Sequence, residues 1–253
     1  MLYAHAYLCG QYRIVVTRMK MYNDFTVVLP TLNEEKNIGV LIHRLLREYK
    51  GIRVVVVDDG SRDGTAGVVK KIGKSHGSVE FVDRAAQGRE RGLTASAIDG
   101  ISSSRTKFVI VMDADLQHPA EVVGKLAGRL ASGSGLTVAV RADVRGWEAH
   151  RKLISKTLMS MGYAILIASG RERCKDIFSG FFGVDKKLFI ETLEANKGRF
   201  VYGGYKILFD FLKCNSRGSL NISEVPYSFG LRKHGASKAG IKQGMLLFKS
   251  LLT

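Results

Sequence analysis

The sequence predicts an α/β fold, a mostly parallel sheet with helices on both faces, followed by a C-terminal half of different texture. Three observations predict it. From Asn23 onward, short β-branched runs alternate with segments of helical period. The runs at 53–57 (RVVVV) and 108–112 (FVIVM) are apolar almost throughout, as strands covered on both faces must be. The length, 253 residues, suits one large domain whose parallel strands are joined by helical crossovers.

The elements follow in order. Residues 25–29 (FTVVL) make a first strand, which Pro30 stops. Thr31 or Asn33 caps a helix in which Ile38, Leu41, Ile42, Leu45 and Leu46 recur at helical spacing. The strand at 53–57 runs into the turn Asp58-Asp59-Gly60-Ser61, and 65–72 is a second helix. Residues 79–82 predict a third strand, 93–101 a third helix and 108–112 a fourth strand. Pro119 starts a helix whose stripe is Val122, Val123, Leu126 and Leu130, and 136–140 predict a fifth strand after an SGSG loop.

Past residue 141 the texture changes. Residues 152–168 read as a helix with an unusually apolar C-terminal half. Phe178, Phe181, Phe182 and Val184 cluster around Gly180 and Gly183. Helices are expected at 188–193 and 205–212, and an edge-like strand through Pro226 at 225–230. There is no internal repeat. Residues 1–22 form an N-terminal extension, with Met19 or Met21 as alternative starts, and 23–253 a single domain.

Composition narrows the class. Hydrophobic residues make up 45%, too many for a disordered chain. Lys and Arg number 39 against 23 Asp and Glu, a formal charge of +16, which favours nucleic acid, an anionic membrane surface or phosphorylated ligands. No zinc-finger spacing or aromatic RNA-binding motif accompanies the charge. Cys9, Cys174 and Cys214 form no CxxC pair and read as structural thiols of a reduced compartment. The longest spanning candidate, 157–170, is too short for a bilayer and is flanked by Lys156 and Arg171. The first 24 residues place their positive charges after the apolar ones, unlike a signal peptide.

The strongest chemical signal is 111–119, VMDADLQHP. Asp113 and Asp115, at the C-terminal end of a buried strand, make a hard-oxygen pair suited to Mg²⁺ or Mn²⁺ held together with substrate phosphates. Gln117 adds a neutral oxygen. Asp58 and Asp59 are expected to end an adjacent strand in the same way, and open α/β sheets bind ligands at the carboxyl ends of their strands. His118 reads as an exposed loop or capping residue beside Pro119 rather than a catalytic one. Asp176 either orients a buried loop or bonds sugar hydroxyls. Arg89 and Arg91 read as solvated loop residues.

The strings LPTLNEEKNI, VVVDDGSRDGTA, RGLTASAIDG and VMDADLQHPAE, in that order, resemble the nucleotide-sugar half of the family 2 glycosyltransferases of GT-A fold. RKLISK at 151–156, DIFSGFFGVDK at 176–186 and FGLRKHGASK at 229–238 resemble the dolichyl-phosphate mannose synthases, which transfer mannose from GDP-mannose to dolichyl phosphate. The resemblance runs from about Phe25 to Lys238. It implies a GT-A, Rossmann-like sheet, with 23–140 as the nucleotide-sugar half and 141–253 as the acceptor and membrane-interface half.

It also implies roles. Pro30, Leu32, Glu34, Val57 and Asp59 match positions that hold the donor's base and ribose. At Leu32 the family commonly has an aromatic residue, so a stacking surface is lost. Asp113, Ala114 and Asp115 match the metal and diphosphate positions, with Gln117 completing the metal shell. Arg232 and Lys238 match a basic pair that closes on the donor phosphates. Arg151 and Ser155, with Arg141, match a cradle for the acceptor phosphate. The implied reaction is an inverting, Mg²⁺- or Mn²⁺-dependent mannosyl transfer to a dolichyl or polyprenyl phosphate, by a peripheral protein on the cytoplasmic face of a membrane. No nucleic acid and no obligate protein partner are expected.

The residues themselves agree with that chemistry. A departing nucleoside diphosphate concentrates negative charge, which a divalent cation and basic side chains stabilise. A phosphate monoester has a second pKa near about 6 and is already deprotonated at neutral pH, so no strong base is needed. Leu153, Ile154, Leu158, Met161, Ile165 and Leu166 put an apolar face beside Arg151 and Ser155, which either meets a lipid surface or packs as core. Three alternatives stay open: a UDP-glucose or UDP-amino-sugar donor on the same fold, a basic module for membranes or nucleic acid, and an inactive relative kept as a partner subunit.

Overall fold

The computed structural model describes residues 5–9, 12–16, 21–88, 91–144, 149–230 and 241–252, with only the backbone described at 5–9, 12–16, 144, 149–152, 241–244, 247 and 252. Strands β1 (His5–Cys9) and β2 (Tyr12–Val16) pair antiparallel as a two-stranded ribbon within the predicted extension. The main sheet has seven strands: β3 (Phe25–Thr31), β4 (Arg53–Asp58), β5 (Val79–Asp83), β6 (Phe108–Val111), β7 (Leu136–Val144), β8 (Phe182–Asp185) and β9 (Ile222–Phe229). Their spatial order is β5-β4-β3-β6-β8-β7-β9. The first four are parallel, joined by α1 (Glu35–Glu48), α2 (Thr65–Ser75) and α3 (Leu93–Ser103). Helix α4 (Glu121–Ala131) precedes β7. The α/β fold class read from the sequence is the one observed.

Side chains alternate across each strand, and the alternation sorts the core into two layers. Val54 and Val56 of β4, Val27 and Leu29 of β3 and Ile110 of β6 pack with Ile38, Leu41, Leu45 and the stripe of α4. Val55 and Val57, Val28, and Val109 and Val111 face the other way, toward Ala97, Ile98 and Ile101 of α3. The same second layer takes in aromatic residues of α6 (Lys186–Ala195) and α7 (Ile207–Lys213).

Helix α3 lies so close to the sheet that a Cβ at Gly100 would overlap Val28 Cγ1 and stand 2.9 Å from Val57 Cγ2. Gly100→Ala is therefore expected to lower stability by about 1–3 kcal/mol, the usual result of overpacking a filled core, read as a lower denaturant midpoint at unchanged slope. An unchanged midpoint would show that the sheet and helix can separate freely.

The departure from expectation is β8. Residues 182–185 were expected only as part of an aromatic cluster, yet they form a strand. It runs antiparallel between β6 and β7 and separates two strands that are consecutive in the first half. Gly183 permits this, because a Cβ there would lie 2.8 Å from Leu130 Cδ1. Strand β7 also extends past residue 140 to Val144, where it pairs with β9 across an irregularity at Arg141/Asp143. The edge position expected for the Pro226 strand is observed: β9 is the last strand, so the missing N–H of Pro226 breaks no ladder beyond it.

Helices α5 (Ala149–Ala168) and α8 (Ile241–Leu252) belong to the C-terminal half. Leu166 is buried, while Leu153, Ile154, Met161 and Ile167 of α5 and Met245 and Phe248 of α8 are exposed. Among the described residues no helix is long and apolar enough to cross a membrane.

Candidate active site

The acidic pairs follow β4 and β6 at the same end of the sheet, but these strands are not adjacent as expected, because β3 runs between them. The loops after β3 and β4 are neighbours. Thr31 pairs with Asp58 in register, and Pro30 with Val57. Polar ties then lace the two loops together. Asn33 stands in the left-handed region, φ 51°, a conformation Asn tolerates. Its backbone N–H donates to Ser61 Oγ at 2.7 Å, and its Oδ1 accepts from Arg62 N at 2.8 Å. Glu34 is buried; its N–H donates to Thr65 Oγ1 at 2.9 Å, and its Oε2 accepts from Asn37 Nδ2 at 2.7 Å. Leu32 is half-buried between these anchors.

The two carboxylates of the second turn divide their work. Asp58 Oδ1 accepts from the N–H groups of Gly60 at 2.9 Å and Ser61 at 2.7 Å, a turn-making role, while its buried Oδ2 has no partner. Asp59 Oδ2 accepts from Gly92 N at 2.9 Å, and Oδ1 is bound by Arg84 Nη1. Arg84 is itself buried and donates through Nε to Asp99 Oδ2 at 2.7 Å. The sequence reading assigned Arg84 no role. Nothing local announces it, since both carboxylates reach it through tertiary packing.

At the end of β6, Asp115 is buried and its Oδ1 accepts from Gln117 N at 3.1 Å, closing a tight turn around Leu116, φ 63°. Gln117 exchanges hydrogen bonds with Gly230 at the end of β9. Its Nε2 donates to the Gly230 carbonyl at 3.0 Å, and Gly230 N donates to its carbonyl at 2.9 Å. Asp113 is more open, with 38% of its side chain exposed, and it faces Gly180. A Cβ at Gly180 would lie 3.3 Å from Asp113 Oδ2 and 3.5 Å from Oδ1, so the glycine leaves that carboxylate room. Ala114 between them is buried.

His118 corrects an expectation. It is buried, not exposed, and ringed by Phe181, Tyr227 and Phe229. Its Nδ1 lies 2.9 Å from Tyr227 Oη and its Nε2 3.2 Å from Asp113 Oδ2. Burial pushes the Tyr227 hydroxyl pKa up, so it stays a neutral hydrogen-bonding group. The imidazole thus orients Asp113 from behind. The Pro119 context suggested a surface loop because Tyr227 lies 109 positions away in sequence.

Of the cations expected on the acceptor side, Arg141 has a described side chain. Asp176 is buried and grips Arg141 in a fork: Nε to Oδ2 at 2.7 Å and Nη2 to Oδ1 at 2.8 Å. Burial alone would lower the Arg141 pKa; the hydrogen bond and charge of Asp176 outweigh it and raise it. Of the two readings of Asp176, the orienting one describes its observed contacts. Ser155 is half-buried on α5, and Arg151 sits in the first turn of that helix with its side chain outside the described residues. Arg232 and Lys238 also lie outside the described residues, as does Arg89. Arg91 is exposed, with its guanidinium 2.9 Å from where a Cβ of Gly60 would stand.

The donor set of Asp113, Asp115 and Gln117 is all hard oxygen. Two carboxylates and an amide are what Mg²⁺ or Mn²⁺ needs when substrate phosphates supply the remaining ligands, and the Gly180 opening leaves Asp113 accessible. The residues fit such an ion.

Comparison with known proteins agrees with the geometry. Residues 26–193 match the model of glycosyl transferase family 2. A dolichol-phosphate mannosyltransferase of Mycosarcoma maydis is 32% identical over 239 residues, covering 89% of this chain and 76% of that protein. A dolichol-phosphate mannosyltransferase of Pyrococcus furiosus is 34% identical over 232 residues, covering 89% of this chain and 61% of that protein. In fold, the glucosyl-3-phosphoglycerate synthase of Mycobacterium tuberculosis, crystallised with Mn²⁺, UDP-glucose and glycerol 3-phosphate, superposes with a TM-score of 0.61. It is 22% identical, over 91% of this chain and 78% of that one. A family match across about two-thirds of the chain, joined to paired acidic strand ends on a GT-A sheet, leads to one conclusion: the chain belongs to glycosyl transferase family 2.

Proposed function

We propose that this protein transfers mannose from GDP-mannose to the phosphate of a dolichyl or related polyprenyl phosphate, with inversion at the anomeric carbon. One observation carries the reading. An accessible Asp113, with a buried Asp115 two residues on at the end of β6, is near enough for its charge to act on a second, guanidinium-based group, Arg141 clamped by Asp176. One group suits a nucleoside diphosphate and the other a second anion. The dolichol-phosphate mannosyltransferase relatives support the choice of sugar and acceptor.

The division of labour follows. Pro30, Leu32, Glu34, Val57 and Asp59 hold the nucleoside, the last two from one strand end. Asp113, Asp115 and Gln117 hold Mg²⁺ or Mn²⁺, which when bound offsets the charge of the diphosphate. Arg232 and Lys238 close on the donor phosphates. Arg141, Arg151 and Ser155 position the lipid phosphate. One of its oxygens forms a bond to the anomeric carbon as the bond from that carbon to the diphosphate breaks. GDP leaves with the electron pair. The attacking oxygen carries no proton at neutral pH, so no base takes one. Attack from the face opposite the leaving group turns an α-linked donor into a β-linked product. The exposed apolar side chains of α5 and α8, with the basic flank of α5, suit a peripheral seat on the cytoplasmic face of a membrane.

Labelling of polyprenyl phosphate from GDP-mannose, compared with UDP-glucose, tests the reading; transfer from UDP sugars alone would overturn it. Arg151→Ala is expected to raise the KM for the lipid phosphate about 10- to 100-fold, the worth of one charge-assisted hydrogen bond, and to leave that for GDP-mannose unchanged. A loss of donor affinity with normal acceptor use would reverse the division of the site.

A further inference from the structure

Lys206 was not singled out by any sequence motif. It directly precedes α7, and its position is held from two sides. Backbone N–H groups of Thr94 and Ala95 donate to the carbonyls of Gly204 at 3.0 Å and Tyr202 at 3.1 Å, docking the 202–204 segment on the start of α3. Its own Nζ donates to the Phe178 carbonyl at 3.1 Å and lies 4.5 Å from the Tyr205 ring centre and 5.5 Å from that of Phe178.

Phe178 belongs to the loop in which Asp176 grips Arg141 and Gly180 faces Asp113. The ammonium therefore stands at the junction of the two halves of the site. Arg141 has a carboxylate of its own. Among the described residues Lys206 has none at ion-pair distance; Asp176 and Asp113 act on it only from further off. A half-buried cation beside a second cation, with one of its three N–H donors used, is a place prepared for an anion.

We propose that Lys206 binds the phosphate monoester of the lipid acceptor, its Nζ donating to a phosphate oxygen beside Arg141. The assignment rests on the function proposed above. Charge is consistent with it: burial, then the neighbouring Arg141, bring the Lys206 pKa down to about 8, against the opposing pull of Asp176 and Asp113. A bound phosphate dianion reverses that penalty and keeps the ammonium charged.

The test uses the full chain with GDP-mannose, Mn²⁺ and a polyprenyl phosphate in detergent, comparing the parent with Lys206→Gln and Lys206→Arg. Lys206→Gln is expected to raise the acceptor KM about 10- to 100-fold and leave the GDP-mannose KM unchanged, with Lys206→Arg recovering most of the loss. In the parent, kcat/KM for the acceptor falls as pH rises through about 8, because the free ammonium deprotonates there, and this fall is absent in Lys206→Gln. A raised donor KM with a normal acceptor KM overturns the proposal, as does an unchanged acceptor KM. Equal losses in both variants, with lowered melting temperatures, overturn it in favour of a structural role. If the parent transfers no mannose to any polyprenyl phosphate, the functional reading falls first and Lys206 with it; if it does and Lys206→Gln is normal, only Lys206 is wrongly assigned.

Discussion

Asp115→Ala abolishes sugar transfer, by about 10³-fold or more, and removes the metal dependence of donor binding. Two losses coincide in this variant. One is the proposed metal ligand at the end of β6. The other is the acceptor that holds Gln117 N at 3.1 Å, and with it the turn in which Leu116 is kept in the left-handed region at φ 63°. Asp115→Asn separates them. It keeps an oxygen for Gln117 N and so keeps the turn, yet lacks the charge that a divalent ion requires. Both variants are expected to be inactive, with the Asn variant folding as the parent does. Transfer from GDP-mannose and donor binding with and without Mn²⁺ are the readouts. Near-normal turnover in either variant would refute the metal role of Asp115.

Arg84→Met is expected to destabilise the fold by about 3–5 kcal/mol. The guanidinium is buried between Asp59 and Asp99 and also reaches Ser96 Oγ at 3.3 Å. Methionine fills much of the space but removes the guanidinium that Asp59 and Asp99 both meet. The penalty comes from those carboxylates rather than from the net worth of the ion pairs. Donor affinity should fall as well, because Arg84 and Gly92 N together aim the Asp59 carboxylate. Arg84→Lys keeps the charge but loses the fork that serves two carboxylates at once, so an intermediate loss is expected. Urea unfolding followed with the GDP-mannose KM decides. A stability change near zero would mean that Asp59 and Asp99 are solvated well enough to need no partner.

The readable part of the site was the part written in short segments. VMDADLQHP announces a strand end with two carboxylates, and the structure puts Asp113 and Asp115 there, one strand away from the end that carries Asp58 and Asp59. The unread part consists of pairs. Arg84 lies 25 positions from Asp59, Asp176 lies 35 from Arg141, and Tyr227 lies 109 from His118. A single sequence shows that such charges and rings exist, but not which of them meet. His118 looked like a surface residue for this reason, and Lys206 looked like any basic residue at a helix start.

By itself the amino-acid sequence determined the α/β alternation, the strands buried on both faces and the acidic turns that follow them. Those features arise from side-chain period and turn chemistry within a few neighbouring residues. Only the tertiary structure decided that β8 slips antiparallel between β6 and β7. The same packing decided which carboxylates hold Arg84, which holds Arg141, and that Lys206, near Arg141, has none at ion-pair distance among the described residues. Strand pairing across long loops is chosen by the burial of the whole sheet at once, and no local stretch of chain carries that information.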